Sequence, residues 1–320
     1  ALDFVTTTGD TNINGGIVTT VGAQTYGDDA AADATVINAN TTLTAGSVTF
    51  SSTLDGSADF AEDLQITTGA GDIDFQGAVG STNDLGDITI VSANNVDFDS
   101  TLDADSLTQN AGSGTTTFRG DVTINAAGAG AGIDLTGTNV TFEGVQVTTA
   151  NGGTVDMTHS GLLSMDNAAN FTLDGFFNED GGGTTSTGAD ITTTDDDVTF
   201  NSATTLTDAA GMSIDTGAAG GGNVTFTNTL DGSVDFAQDL TITAGTGNVD
   251  FQQAVGSTND LGDILVNSAT DVDFDDTLDA DSVTQLVGDG TTTFRGDVTL
   301  NAAGGVGIDL TGTNVTFEGV

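Results

Sequence analysis

The chain has 320 residues, and its 47 acidic side chains are set against two arginines and no lysine, a net charge of −45. That balance excludes nucleic-acid binding, which needs a basic stripe, and docking on anionic lipid. There is no cysteine, hence no disulfide, and no apolar run long enough for a membrane-spanning helix. No positively charged start followed by an apolar stretch marks a signal peptide.

In chain order, short runs of Val, Ile, Thr and Phe alternate apolar with polar residues. Each closes on an aromatic: Phe4, Tyr26, Phe50, Phe75, Phe98, Phe118 and Phe142, then Phe171, Phe200, Phe226, Phe251, Phe274, Phe294 and Phe317. Alternation over four or five positions is strand periodicity, and no stretch sustains a 3.6-residue stripe. Gly, Asn, Asp and Ser fill the gaps, as turns prefer. After each aromatic come a polar pair, an apolar pair such as Thr53-Leu54, and an acidic-apolar run such as Asp63 to Ile66.

The spacing averages about 24 residues, half the period of propeller blades. Three short strands with turns in that length predict one coil of a right-handed parallel β-helix. About thirteen coils at ~4.8 Å would form a rod roughly 60 Å long. The least regular interval runs from Phe142 to Phe200, with a further candidate strand at Val155–Met157.

A longer repeat overlies the short one. Residues 48–127 recur at 224–303, offset by 176 and roughly three quarters identical, the mark of a repeat architecture. Ile73 becomes Val249, Leu107 becomes Val283 and Ile124 becomes Leu300, so these are inward positions, while Ser51, Asn94 and Ser113 vary among polar residues. Asn110-Ala111 becomes Leu286-Val287, which fits a loop. A solenoid has no internal boundary, because each coil touches only its neighbours. The expectation is therefore one continuous β-solenoid over 1–320, with both ends in mid-pattern as in a window of a longer fibre.

Four of the acids are Glu (Glu62, Glu143, Glu179 and Glu318) and the rest Asp. Strings such as Asp97-Phe98-Asp99 and Asp273 to Asp276 are expected in turns. Three roles fit this acidity: turn chemistry with solubility, residence in salty water, or divalent cations such as calcium held between stacked carboxylates. Stacked neighbours would otherwise repel by about 1 kcal/mol per pair even in water. No catalytic set or bound cofactor is expected. His159 has no second imidazole or thiolate beside it in sequence, and Met157, Met165 and Met212 are expected to fill core gaps. The threonine runs Thr6 to Thr8 and Thr192 to Thr194 are too irregular for an ice-binding face. Polysaccharide lyases and pectin hydrolases also use the right-handed β-helix. Such a site, however, needs clustered charges beside long non-repeating loops.

The two arginines lie at equivalent places in the long repeat, as Arg119-Gly120-Asp121 and Arg295-Gly296-Asp297. This tripeptide is read by animal integrins, so the six residues form a candidate adhesive motif. The structural alternative is that each guanidinium pairs with nearby Asp residues while Gly-Asp forms a turn.

The phrases Gly-Asp-Ile-Thr-Ile at 86–90, Ser-Val-Thr-Phe-Ser-Ser-Thr-Leu-Asp-Gly at 47–56 and Ala-Asp-Ile-Thr-Thr-Thr-Asp-Asp-Asp-Val-Thr-Phe at 189–200 resemble the repeat regions of large bacterial exoproteins of the filamentous-haemagglutinin kind. The resemblance covers essentially the whole chain. It implies a right-handed β-helical rod, export to the bacterial surface or medium, and a role in adhesion, biofilm matrix or surface filaments. Extreme acidity without lysine departs from that family, as does the missing amino-terminal secretion domain. The expected function is a non-enzymatic extracellular fibre shaft. Its expected contacts are self-association end to end or laterally, and a cell-surface or polysaccharide ligand. The alternatives are a calcium-binding extracellular module and, behind it, a polysaccharide-processing enzyme.

Overall fold

Alternation of small β-branched residues with Phe, interrupted by Gly and Asp, makes strands too short to pair within one turn of chain but well suited to pair with the same strand one turn later. The computed structural model describes residues 2–4, 9–27, 33–127, 132–302 and 305–319. Among the described residues every element is a strand of three to eight residues and every strand pairing is parallel. The strands stack into a β-solenoid of about thirteen turns with ~23 residues between equivalent strands. Two compact units divide the chain, Ala1–Leu162 and Leu163–Val320.

Each unit has three faces. In the first, one face stacks Ala23–Tyr26, Ser47–Phe50, Ile73–Phe75, Val96–Phe98, Thr115–Phe118 and Asn139–Phe142 in register. A second passes from Leu54 through Val79 to Leu102, Val122 and Val147. A third aligns Leu43, Ile66, Ile90, Gln109, Leu135 and Met157. The second unit repeats the plan. Its first face runs from Val198–Phe200 to Asn314–Phe317. Its second passes Leu230, Val255 and Leu278, and its third passes Ile214, Ile242 and Val266.

In-register parallel stacking places like side chains over like at the strand spacing. Tyr26, Phe50, Phe75, Phe98, Phe118 and Phe142 therefore form one buried column, with ring centroids 4.6–5.3 Å apart and nearly parallel planes. Phe200 to Phe317 form another at 4.8–5.4 Å. Each such contact contributes about 0.5–1.5 kcal/mol beyond the area it buries. Met157, Met165 and Met212 are buried, as expected of gap fillers. His159 ends the strand Val155–His159, buried, with Nδ1 3.1 Å from the Gly161 carbonyl oxygen. Leu286 and Val287 are about half exposed beyond the strand Leu278–Gln285, on the loop expected for them.

Two sequence expectations need correction. Phe171 is not in the aromatic column: it stands opposite Ile191 on the third face. The interval from Phe171 to Phe200 thus spans one turn and one face. The place opposite Phe200 is taken by Glu179, which is buried and accepts hydrogen bonds from the backbone N–H groups of Asn201 and Ser202, both at 3.0 Å. Inward positions on all three faces obey the same two-residue period, so an aromatic on one face reads like an aromatic on another. Asp97 and Asp273 are likewise not turn residues but the outward middle positions of Val96–Phe98 and Val272–Phe274. Leu300, paired in sequence with the buried Ile124, stacks in register on the buried Ala280, on the inward side expected for it. The run Thr6 to Thr8 lies outside the described residues, and Thr192 is stacked on Asp215, which interrupts any threonine array.

Candidate functional site: the arginine clamps

The residue after each column aromatic hydrogen-bonds back to the aromatic one turn earlier. The N–H of Gln76 donates to the Phe50 carbonyl, Asp99 to Phe75, Arg119 to Phe98 and Glu143 to Phe118. These side chains therefore stack on the outer wall, one per turn, beside the outward column Thr49, Asp74, Asp97, Thr117. Arg119 has an acid one turn before it and another one turn after. Its Nη1 lies 3.0 Å from Asp97 and 2.7 Å from Asp99, and its Nε 3.3 Å from Glu143. Arg295 repeats the arrangement with Asp273 at 3.1 Å, with Asp275, and with Glu318 at 3.5 Å.

The electrostatics follow from this packing. Burial works against the charge on Arg119, but the hydrogen bonds it donates to Asp97 and Asp99 and the charges of Asp97 and Glu143 outweigh it and hold the guanidinium pKa above its ordinary value. Two turns before Arg119, burial pushes the Asp74 carboxyl up. The Gln76 amide opposes this, the charges of Asp99 and Asp97 add to it, and Arg119 counteracts it. Asp250 is raised in the same way beside Asp275, Asp273 and Arg295. Each arginine thus neutralises part of an acidic stripe drawn from neighbouring turns.

The rest of the Arg-Gly-Asp motif also belongs to the wall. A Cβ on Gly120 would lie 2.5 Å from the Thr101 nitrogen, and one on Gly296 2.5 Å from the Thr277 nitrogen. Only glycine lets the backbone pass this close to the preceding turn. Asp121 accepts the Leu102 N–H at its carbonyl and the Gln146 N–H at Oδ1, 2.9 Å away, and the Asp297 carbonyl accepts the Leu278 N–H. Arg119, Gly120 and Asp121 are brought together by one turn, as are Arg295, Gly296 and Asp297. Both arginine side chains are 40% exposed. The pairing of each guanidinium with nearby Asp residues is the arrangement expected as the structural alternative; the particular partners Asp97 and Asp99 precede Arg119 by 22 and 20 residues, one solenoid period.

Among the described residues no three His, Cys, Asp or Glu side chains are grouped to hold a metal ion, and no helix is long and apolar enough to cross a membrane. No protein-family model, curated protein or solved structure matches the chain.

Proposed function

We propose that this chain is a non-enzymatic structural segment, the shaft of an extracellular fibre or adhesin on a bacterial surface. The observation that carries the reading is that the two basic side chains, one in each unit, are tied into the solenoid wall by acids from neighbouring turns. Charges engaged in this way stabilise a scaffold. A polysaccharide-cleaving site would instead gather them in a groove. The inward columns supply stiffness turn by turn, and the outer faces repeat the same chemistry at the strand spacing, which suits weak contacts that accumulate. Electron microscopy of the native material tests the proposal. Rods or continuous filaments are expected. Compact particles, or turnover of acidic polysaccharide by the purified chain, would overturn it.

One observation favours a second reading, a module ordered by divalent cations. Asp74 stands in register with Asp97, and Asp250 with Asp273, and burial with like charge raises the carboxyls of Asp74 and Asp250. That reading requires calcium to raise the melting temperature at constant ionic strength and chelator to reverse it. A salt-only response removes it.

A further inference from the structure

The wall is interrupted at the same place in each unit by a short exposed loop with an aromatic at its tip. Ser57 to Ala61 are all exposed, with Phe60 at 37%. In the second unit Val234 is 59% and Phe236 38% exposed. The loop is built, not loose. Glu62, buried, accepts the Ser57 N–H at 2.8 Å and the Phe60 N–H donates to the Asp84 carbonyl at 2.9 Å. In the second unit Gln238 accepts the Val234 N–H at 3.0 Å and the Phe236 N–H donates to the Asp260 carbonyl. Glu and Gln replace one another there because only an acceptor is needed.

Both aromatics are held at φ 56° and 58°, a region that favours Gly or Asn and is costly for a bulky side chain. Both units carry an aromatic at this exposed tip. The charge around each aromatic selects what can cover it. Asp59 and Asp84 flank Phe60, and Asp235 and Asp260 flank Phe236. Asp84 and Asp260 are raised first by burial and then by the acids around them. At these loops an acidic surface, whether the same loop of a second copy, nucleic acid or acidic polysaccharide, is repelled. A guanidinium or ammonium group gains from the ring face and from the carboxylates together.

We propose that the Phe60 and Phe236 loops are a pair of equivalent docking sites for a cationic polypeptide segment, with an arginine or lysine over each ring and the flanking aspartates around it. The inference is independent of the shaft reading, since a docking site of this kind serves equally on a scaffold or on a cation-ordered module.

The test is titration of the full chain with a tetra-arginine amide peptide at about 0.15 M salt, where loose electrostatic binding is largely screened. Calorimetry and peptide proton NMR are the readouts. Two equivalent sites per chain are expected, with upfield ring-current shifts on the arginine δ-methylenes. The Phe60→Leu/Phe236→Leu double variant keeps an apolar side chain but no ring face. It should weaken binding roughly three- to fivefold and abolish the shifts. Should that variant fail to fold, Phe60→Gly/Phe236→Gly replaces it, since glycine adopts these φ values freely. The proposal is overturned if affinity and shifts survive loss of the rings. It is also overturned if maltotriose, a neutral sugar, shows the phenylalanine-dependent shifts while the peptide does not, or if the rings govern self-association in sedimentation instead.

Discussion

Replacing Arg119 with Ala removes one cation from the middle of an acidic stripe, and the size of the effect can be worked from the geometry. Three contacts vanish, to Asp97, Asp99 and Glu143, at 3.0, 2.7 and 3.3 Å. All four side chains are 32–50% exposed, so each pair is worth only about 0.2–1 kcal/mol after solvent screening. The remaining acids then repel without compensation, at about 0.8 kcal/mol for charges 5 Å apart in water and less in salt. Together these give an expected loss of about 1–2 kcal/mol at low ionic strength. The assay is urea unfolding followed by circular dichroism, with the slope unchanged if only the folded state is affected. At about 0.5 M salt, where the Debye length is well under 10 Å, at least half of the loss should disappear. Adding Asp99→Asn to the Arg119→Ala background should recover part of it, a coupling that a double-mutant cycle isolates. Arg295→Ala should behave similarly, since its partners are equivalent. A loss under about 0.3 kcal/mol at low salt, or one indifferent to salt, refutes the clamp. Loss of cell attachment with stability unchanged would return the motif to an adhesive role.

Gly120→Ala and Gly296→Ala should each destabilise by about 3 kcal/mol or more, because the new methyl group overlaps backbone of the preceding turn and the wall has no room to shift; unfolding midpoints close to wild type would contradict this. Gln109 stands buried in an aliphatic column, its Oε1 accepting the Thr116 hydroxyl at 2.8 Å and its Nε2 donating to the Thr136 carbonyl at 3.3 Å. Gln109→Leu should therefore cost about 1–3 kcal/mol by orphaning both groups, and Gln109→Leu/Thr116→Val should regain part of it in the same unfolding assay. The pH dependence has a definite sign. Asp74, Asp84, Asp103, Asp134, Asp196, Asp250 and Asp260 are all raised by burial, most with help from like charges, and Asp72 is lowered by hydrogen bonds from Asn95 and Asn94. A raised carboxyl binds its proton more tightly folded than unfolded, so stability falls as pH rises from the ordinary value of 3.8 through the raised one. Melting at low salt should accordingly be higher near pH 4 than near pH 7, and a flat or opposite profile would show that the lowered groups dominate.

The alternating pattern ending in Phe, the absence of proline and the two nested periods were enough to establish strands, parallel stacking and the number of turns. They sufficed because a solenoid is local: each turn needs only a neighbour like itself, and that likeness is written in the chain. Inward positions such as Ile73 and Val249, and the loop at Leu286, were legible for the same reason. What the pattern left open was which face each inward residue occupies. Phe171 and Phe200 carry the same two-residue signature, and only strand pairing separates them, with Glu179 standing where an aromatic was expected. Asp97 read as a turn residue because its position along the strand, not its chemistry, turns it outward. The clamps show the same division. Arg119 was conspicuous in the sequence, but whether its charge faces solvent or three carboxylates depends on stacking residues 20 to 24 positions away to within an ångström. Periodicity locates such partners, and tertiary packing alone brings their oxygens within 3.3 Å.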